Sequence, residues 1–149
     1  MKVVKGDRLL DLPDDVQASV LMGVLLRQVS TAVARADLDG LRPTHFRLLA
    51  HAAPPGVRVT ELSALLGMTK QACGQFVTQL SGSGHVTVEV PAEDRRARVV
   101  VRTALGSAAL ARFSTMMTEL EHRWAQRAGP ERYAVLVDVL RELAVAPPE

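Results

Sequence analysis

Aromatic side chains are scarce in this chain: three Phe, one Trp and one Tyr among 149 residues. So few rings argue against a fold that stacks single-stranded bases on aromatic platforms. Cysteine is scarcer still. Cys73 stands alone, so no intrachain disulfide can form, and a reducing cytoplasm is the expected compartment. Membrane-length apolar runs are missing. The N-terminal run Val20 to Leu26 falls far short of the ~20 residues a membrane helix requires. Asp14 and Asp15, just before it, carry the wrong charge for a signal peptide. No membrane partner is expected. Catalytic signatures are absent as well. There is no Gly-rich phosphate loop, no H-E-x-x-H and no G-x-S-x-G, so neither an enzyme nor a cofactor is expected. His45, His51, His85 and His122 lack metal-ligand spacing with one another or with Cys73, so no metal is expected.

Net charge of one sign is also small: 18 Lys and Arg against 16 Asp and Glu give +2. That total conceals a division. Residues 42–102 hold eight basic and four acidic residues, a balance of +4, whereas the flanks sum to −2. The near-neutral total does not announce a nucleic-acid binder, and the basic excess of the middle is modest.

What is present is ordinary for a globular protein, with 48% hydrophobic and 23% charged residues. A length of 149 residues suits one domain, which can bury ~70% of the surface its unfolded chain exposes. Helical spacing of apolar residues predicts a helix over 14–36, started by Asp14 and Asp15, with Val16, Val20, Leu21, Val24, Leu25, Val29, Ala32 and Val33 on one broad face. Met22 and Leu26 extend that face, so the helix needs cover on several sides. Pro43 opens a helix over 43–53, and Pro54-Pro55-Gly56 stops it. Arg58-Val59 suits a two-residue strand. Thr60 is placed to cap a helix over 61–66 that ends at Gly67, and Thr69 to cap the next, over 70–82.

The period then changes. His85 to Val90 alternates polar and apolar, as a half-buried strand does, and Arg98 to Arg102 pairs with it across a turn at 91–96. Thr103 caps a long helix over 104–128. Gly129-Pro130 restarts the chain as a last helix, 130–145, closed by Pro147-Pro148.

Two short helices, a tight turn at Gly67 and a hairpin with arginines at its tip make a winged helix-turn-helix. Such a fold presents the start of its second helix to the DNA major groove, and the hairpin to phosphates or the minor groove. The stretch Val59 to Ala72, with Leu80 and Gly84-His85-Val86 after it, resembles the MarR family of bacterial transcription regulators. The wing segment Asp94-Arg95-Arg96-Ala97-Arg98, followed by Thr103 and Gly106, resembles the family's Asp-x-Arg wing. The likeness covers nearly the whole chain. It implies a mainly α fold with a small β-hairpin, a single domain over 1–149. Within it, 42–103 would form the DNA-binding lobe, and 14–40 with 104–146 a helical homodimerisation region.

The resemblance implies a cytoplasmic repressor that binds double-stranded DNA at a pseudo-palindromic operator and is relieved by a small aromatic or phenolic ligand or an oxidant. Lys70 would meet a phosphate and Thr69 would cap the helix, contact phosphate, or both. Gln71 and Gln75 would read base edges, since a glutamine amide can pair bidentately with adenine. Arg96 would enter the minor groove with Asp94 orienting its guanidinium, and Arg95 and Arg98 would meet phosphates. His45 and His51 border the family's ligand cleft, although a core or surface histidine is the plainer reading of each. Cys73 reads as a buried small hydrophobe, with a redox switch as its alternative. Three positions depart from the family pattern. Gln75 stands where many members carry arginine, and Gly74 beside it costs helix stability of roughly 0.5–1 kcal/mol against alanine. Arg102 stands where leucine is usual, on the strand's expected inward face. The rival readings are a winged helix used for protein–protein contact and a non-specific architectural DNA-binding protein.

Overall fold

The computed structural model describes residues 2–5, 8–11 and 15–145. Strands β1 (Lys2–Lys5) and β2 (Arg8–Asp11) pair antiparallel, a hairpin the sequence pattern did not predict. Helix α1 runs over Ala18–Arg35, beginning later than the acidic pair suggests. Asp15 sits in a turn before it, Gln17 is the flanking residue, and Asp14 lies outside the described residues. Helix α2 (Pro43–His51) follows, with proline in its first turn as expected.

The short strand β3 is Val57–Arg58, one residue earlier than the sequence suggested, and it pairs antiparallel with β5 (Val99–Arg102). Strand β4 (Val86–Glu89) pairs with the other edge of β5. The wing is therefore two strands of a three-stranded sheet, in the order β3-β5-β4. Gly56 makes the entry to β3 possible. Its φ is +109°, and a Cβ there would lie 2.7 Å from Val99 Cγ1 and 2.9 Å from Val100 O.

Helix α3 (Val59–Leu65) is not capped by Thr60. It starts two residues earlier than the expected 61, and its first amide, Val59 N–H, donates to Arg98 O at 3.0 Å. The wing backbone thus satisfies one of the helix's orphan donors. Thr60 lies inside the helix, and its carbonyl accepts from the Ser63 hydroxyl. Gly67, at φ +63°, makes the turn into α4 (Lys70–Gly82), where Thr69 Oγ1 accepts from Ala72 N–H as predicted. Helices α5 (Ala104–Ala128) and α6 (Pro130–Val145) complete the chain. Thr103 caps α5 by accepting from Gly106 N–H and donates to Gly84 O. Pro147 and Pro148 lie outside the described residues.

The core sits between α2, α3, α4, the sheet and the first half of α5. Phe46, Leu48, Leu49, Leu62, Leu80, Val86 and Val100 are its largest fully buried side chains. Phe46 of α2 stacks on Phe113 of α5, ring centroids 4.2 Å apart, which fixes the lobe to the long helix. Arg102 faces inward from β5 without burying an unpaired charge. Its Nη1 donates to Leu49 O (2.7 Å), at the carbonyl end of α2, and its Nε to Ser107 Oγ (3.1 Å). A cation at a helix C-terminus suits the dipole there, which is how an arginine stands in a leucine's place.

The alternation expected of β4 is only partly realised. Val86 is buried, but Val88 and Val90 are exposed, because the outer part of the wing projects beyond the core. Helix α6 has no buried residue. Tyr133 and Val137 turn partly inward, while Leu136, Leu140 and Leu143 are exposed. No helix among the described residues is long and apolar enough to cross a membrane.

Candidate nucleic-acid interface

Helix α4 divides cleanly into two faces. Cys73, Val77 and Leu80 are buried and Phe76 packs against the same core, at the spacing that makes one helical stripe. The opposite side exposes Lys70, Gln71, Gln75 and Thr78. None of the Lys70, Gln71 and Gln75 side chains has a hydrogen-bond or ion-pair partner among the described residues. Thr69 spends its oxygen on the cap, and Thr78 donates to Gly74 O at 2.9 Å. Gln79 is different. Its Oε1 accepts from His45, so it belongs to the lobe's internal network.

On the wing, Asp94 is the organising group, but its partner is not the one predicted. Its Oδ2 accepts from Arg58 Nη1 at 3.0 Å, and its Oδ1 accepts from the backbone N–H of Arg96 at 3.1 Å. Asp94 thus holds the wing turn by its backbone and ties it to β3 through Arg58, leaving the Arg96 guanidinium unpaired among the described residues. The Arg58 hydrogen bond, then the Arg96 amide, hold the Asp94 carboxyl below its usual 3.8. Arg98 is also engaged internally, donating from Nη1 to Arg95 O (3.1 Å) and Ala97 O (3.0 Å). Arg95 and Arg96 are exposed without side-chain partners among the described residues. An open groove of about 360 Å³ runs between Arg58, Val59, Thr60 and the wing residues Asp94, Arg96, Ala97 and Arg98. Arg58 is the residue that sequence reasoning missed. It lies 36 positions from Asp94, and only the pairing of β3 with β5 brings the two together.

The two candidate ligand histidines differ. His45 is buried, and both of its ring nitrogens are occupied. Nδ1 accepts from Arg42 N–H at 2.9 Å, which places the proton on Nε2, and Nε2–H donates to Gln79 Oε1 at 2.9 Å. The ring also meets Phe76 edge-on. A ligand could use His45 only by breaking one of these bonds. His51 is exposed in the last turn of α2.

A second buried histidine, His85, joins three elements. Ser83 Oγ lies 2.8 Å from its Nδ1, and its Nε2–H donates to Asp39 Oδ2 at 3.4 Å. Asp39 also accepts from Arg112 of α5. The His85 hydrogen bond, then the Arg112 contact, hold the Asp39 carboxyl below its usual value. This chain of bonds links the α1–α2 loop, the base of the wing and α5. Cys73 is fully buried, 3.9 Å from Val59 O, and burial pushes its thiol pKa up.

Comparison with known proteins agrees with this geometry. Residues 39–97, which span α2 through the wing turn, match the sequence model of the MarR family. No curated protein sequence matches the chain. Among solved structures, the chain is similar to MarR itself (TM-score 0.80, 19% identity, 91% of this chain and 93% of that one). It is also similar to the transcriptional repressor CouR bound to a 23-mer DNA duplex (0.73, 26%, 87% and 93%). A third is BpsR of Bordetella bronchiseptica, described in connection with regulation of its DNA binding by 6-hydroxynicotinic acid (0.74, 14%, 92% and 99%). With the MarR family's sequence pattern on residues 39–97 and a fold similar to that of its solved members across the remainder, this chain is a winged helix-turn-helix protein that resembles the MarR family.

Proposed function

We propose that the chain is a homodimeric, sequence-specific DNA-binding transcription regulator: a repressor that holds a pseudo-palindromic operator and releases it when a small aromatic or phenolic ligand binds. One observation carries the reading. Lys70, Gln71 and Gln75 on α4 and Arg95 and Arg96 on the wing are exposed, and their side chains have no partner among the described residues. Their donors and acceptors are free for phosphates and base edges, on the two elements that a winged helix offers to DNA. Two such lobes related by a dyad would read half-sites ~10 base pairs apart.

Homodimerisation is supported by the exposed apolar side chains of α1 (Val20, Met22, Leu26) and α6 (Val135, Leu136, Val139, Leu140, Leu143). Release by a ligand is favoured over release by an oxidant. A buried thiol with a raised pKa forms little thiolate and is slow to oxidise. The precedent for ligand control is BpsR, whose DNA binding is described as regulated by 6-hydroxynicotinic acid.

The test is a mobility-shift titration of the parent and Arg96→Ala across a salt series. The variant should remain folded and bind several-fold more weakly, with a shallower dependence on salt, since a protein that loses a cation from the minor groove displaces fewer counterions. Unchanged affinity and slope would sink the wing assignment. A parent with no salt-dependent affinity for any duplex would favour the protein-contact reading. Equal affinity for every duplex would favour the architectural one.

A further inference from the structure

Resting on that DNA-binding reading, we infer that Gly74 determines specificity at the interface: its missing side chain lets the edge of the major groove reach the backbone of α4. The case begins with the glycines inside described helices. Gly106 is required by the chain's own packing, since a Cβ there would lie 2.1 Å from His85 O. Gly82 is the last residue of α4, where glycine suits the turn that follows. Gly23 shares a face of α1 with exposed Val20 and Leu26, on the surface that the dimer reading covers.

Gly74 is the fifth residue of a thirteen-residue helix, with ordinary helical backbone, and a Cβ built on it meets nothing within 4 Å. Neither its conformation nor its packing within the chain calls for glycine, yet glycine weakens a helix interior. The reason therefore lies outside the chain. Gly74 is half-buried, and exposed Lys70 and Gln71 lie one helical turn before it and exposed Thr78 one turn after it. Thr78 bends its hydroxyl back to the Gly74 carbonyl instead of reaching outward. The result is a bare notch on the flank of the exposed face, beside Lys70 and Gln71, on the helix that faces DNA in the reading above. Base-pair edges, and the C5-methyl of thymine among them, fit such a notch and would collide with a side chain placed there.

The experiment compares the full-length parent with Gly74→Ala and Gly74→Leu, two residues that favour helix and differ in bulk. Thermal unfolding is measured beside affinity for a duplex that the parent selects from a random-sequence pool. Gly74→Ala should raise the unfolding midpoint by about 1–4 °C. Affinity should fall at least threefold for Gly74→Ala and at least thirtyfold for Gly74→Leu, so that stability and binding move in opposite directions. Both variants binding within twofold of the parent would overturn the role of Gly74 and leave the DNA-binding reading intact. A lowered midpoint for Gly74→Ala would also overturn it, because the glycine would then serve the chain's own fold. A parent that selects and binds no duplex would remove the DNA-binding reading itself, and this inference with it.

Discussion

The lobe of residues 42–103 and the helices α1 and α6 are built to opposite plans. The lobe closes on itself: Phe46, Leu48, Leu49, Leu62, Leu80 and Val100 are buried to about the last few square ångströms, and its polar surface carries the unpaired groups of α4 and the wing. Helix α6 buries no residue, and α1 buries only Val33, while both expose rows of valine, leucine and methionine. The lobe is thus stable through its own core and polar where it meets its surroundings. The outer helices have an apolar surface left exposed among the described residues. In the function proposed above, that difference separates two jobs, DNA contact in one region and self-association in the other, and each can be attacked alone.

The largest expected effect is in the lobe. Phe46→Ala removes a buried ring and its stack on Phe113, and should cost about 3–5 kcal/mol in chemical denaturation. A loss under about 1 kcal/mol would mean that the lobe is not the stabilising unit. The next effect belongs to the outer helices. Leu136→Asp with Leu140→Asp on α6 should convert dimer to monomer in sedimentation equilibrium and weaken duplex binding at least tenfold, with the lobe still folded. A dimer that persists would move the interface elsewhere. The smallest effect tests the tie between β3 and the wing. Arg58→Ala should weaken duplex binding by no more than about fivefold, as suits an exposed ion pair. It should also let the Asp94 carboxyl titrate closer to 3.8 by NMR. The sign follows from the depressed folded-state value. The pair's contribution is complete above 3.8 and is lost as pH falls below it, through the folded-state pKa. An Asp94 titration unmoved by the substitution would show that Arg58 does not hold it.

Which parts of this were legible in the sequence depended on how far each cause reaches along the chain. Thr69 and Thr103 announced the starts of α4 and α5 because a cap acts within three residues. The start of α3 was misplaced because its first amide is satisfied by Arg98, far away in sequence. The Asp94–Arg58 pair was missed for the same reason, since the local Asp-x-Arg spacing pointed to Arg96. Arg102 looked anomalous on an inward strand face until α2 brought the Leu49 carbonyl to it. The alternation in β4 promised a half-buried strand, yet burial fades past Val86, because a pattern cannot show where the core ends. Strands β1 and β2 lack the alternation that announces a half-buried strand, since each sets two adjacent apolar residues between charged ones.

The most direct test of the central claim is selection of bound duplexes from a random-sequence pool by the parent protein, followed by sequencing. The account predicts an inverted repeat whose half-sites are centred ~10 base pairs apart, one for each α4 of a dimer. Recovery of sequences with no shared motif, or of a single unrepeated site, would contradict it.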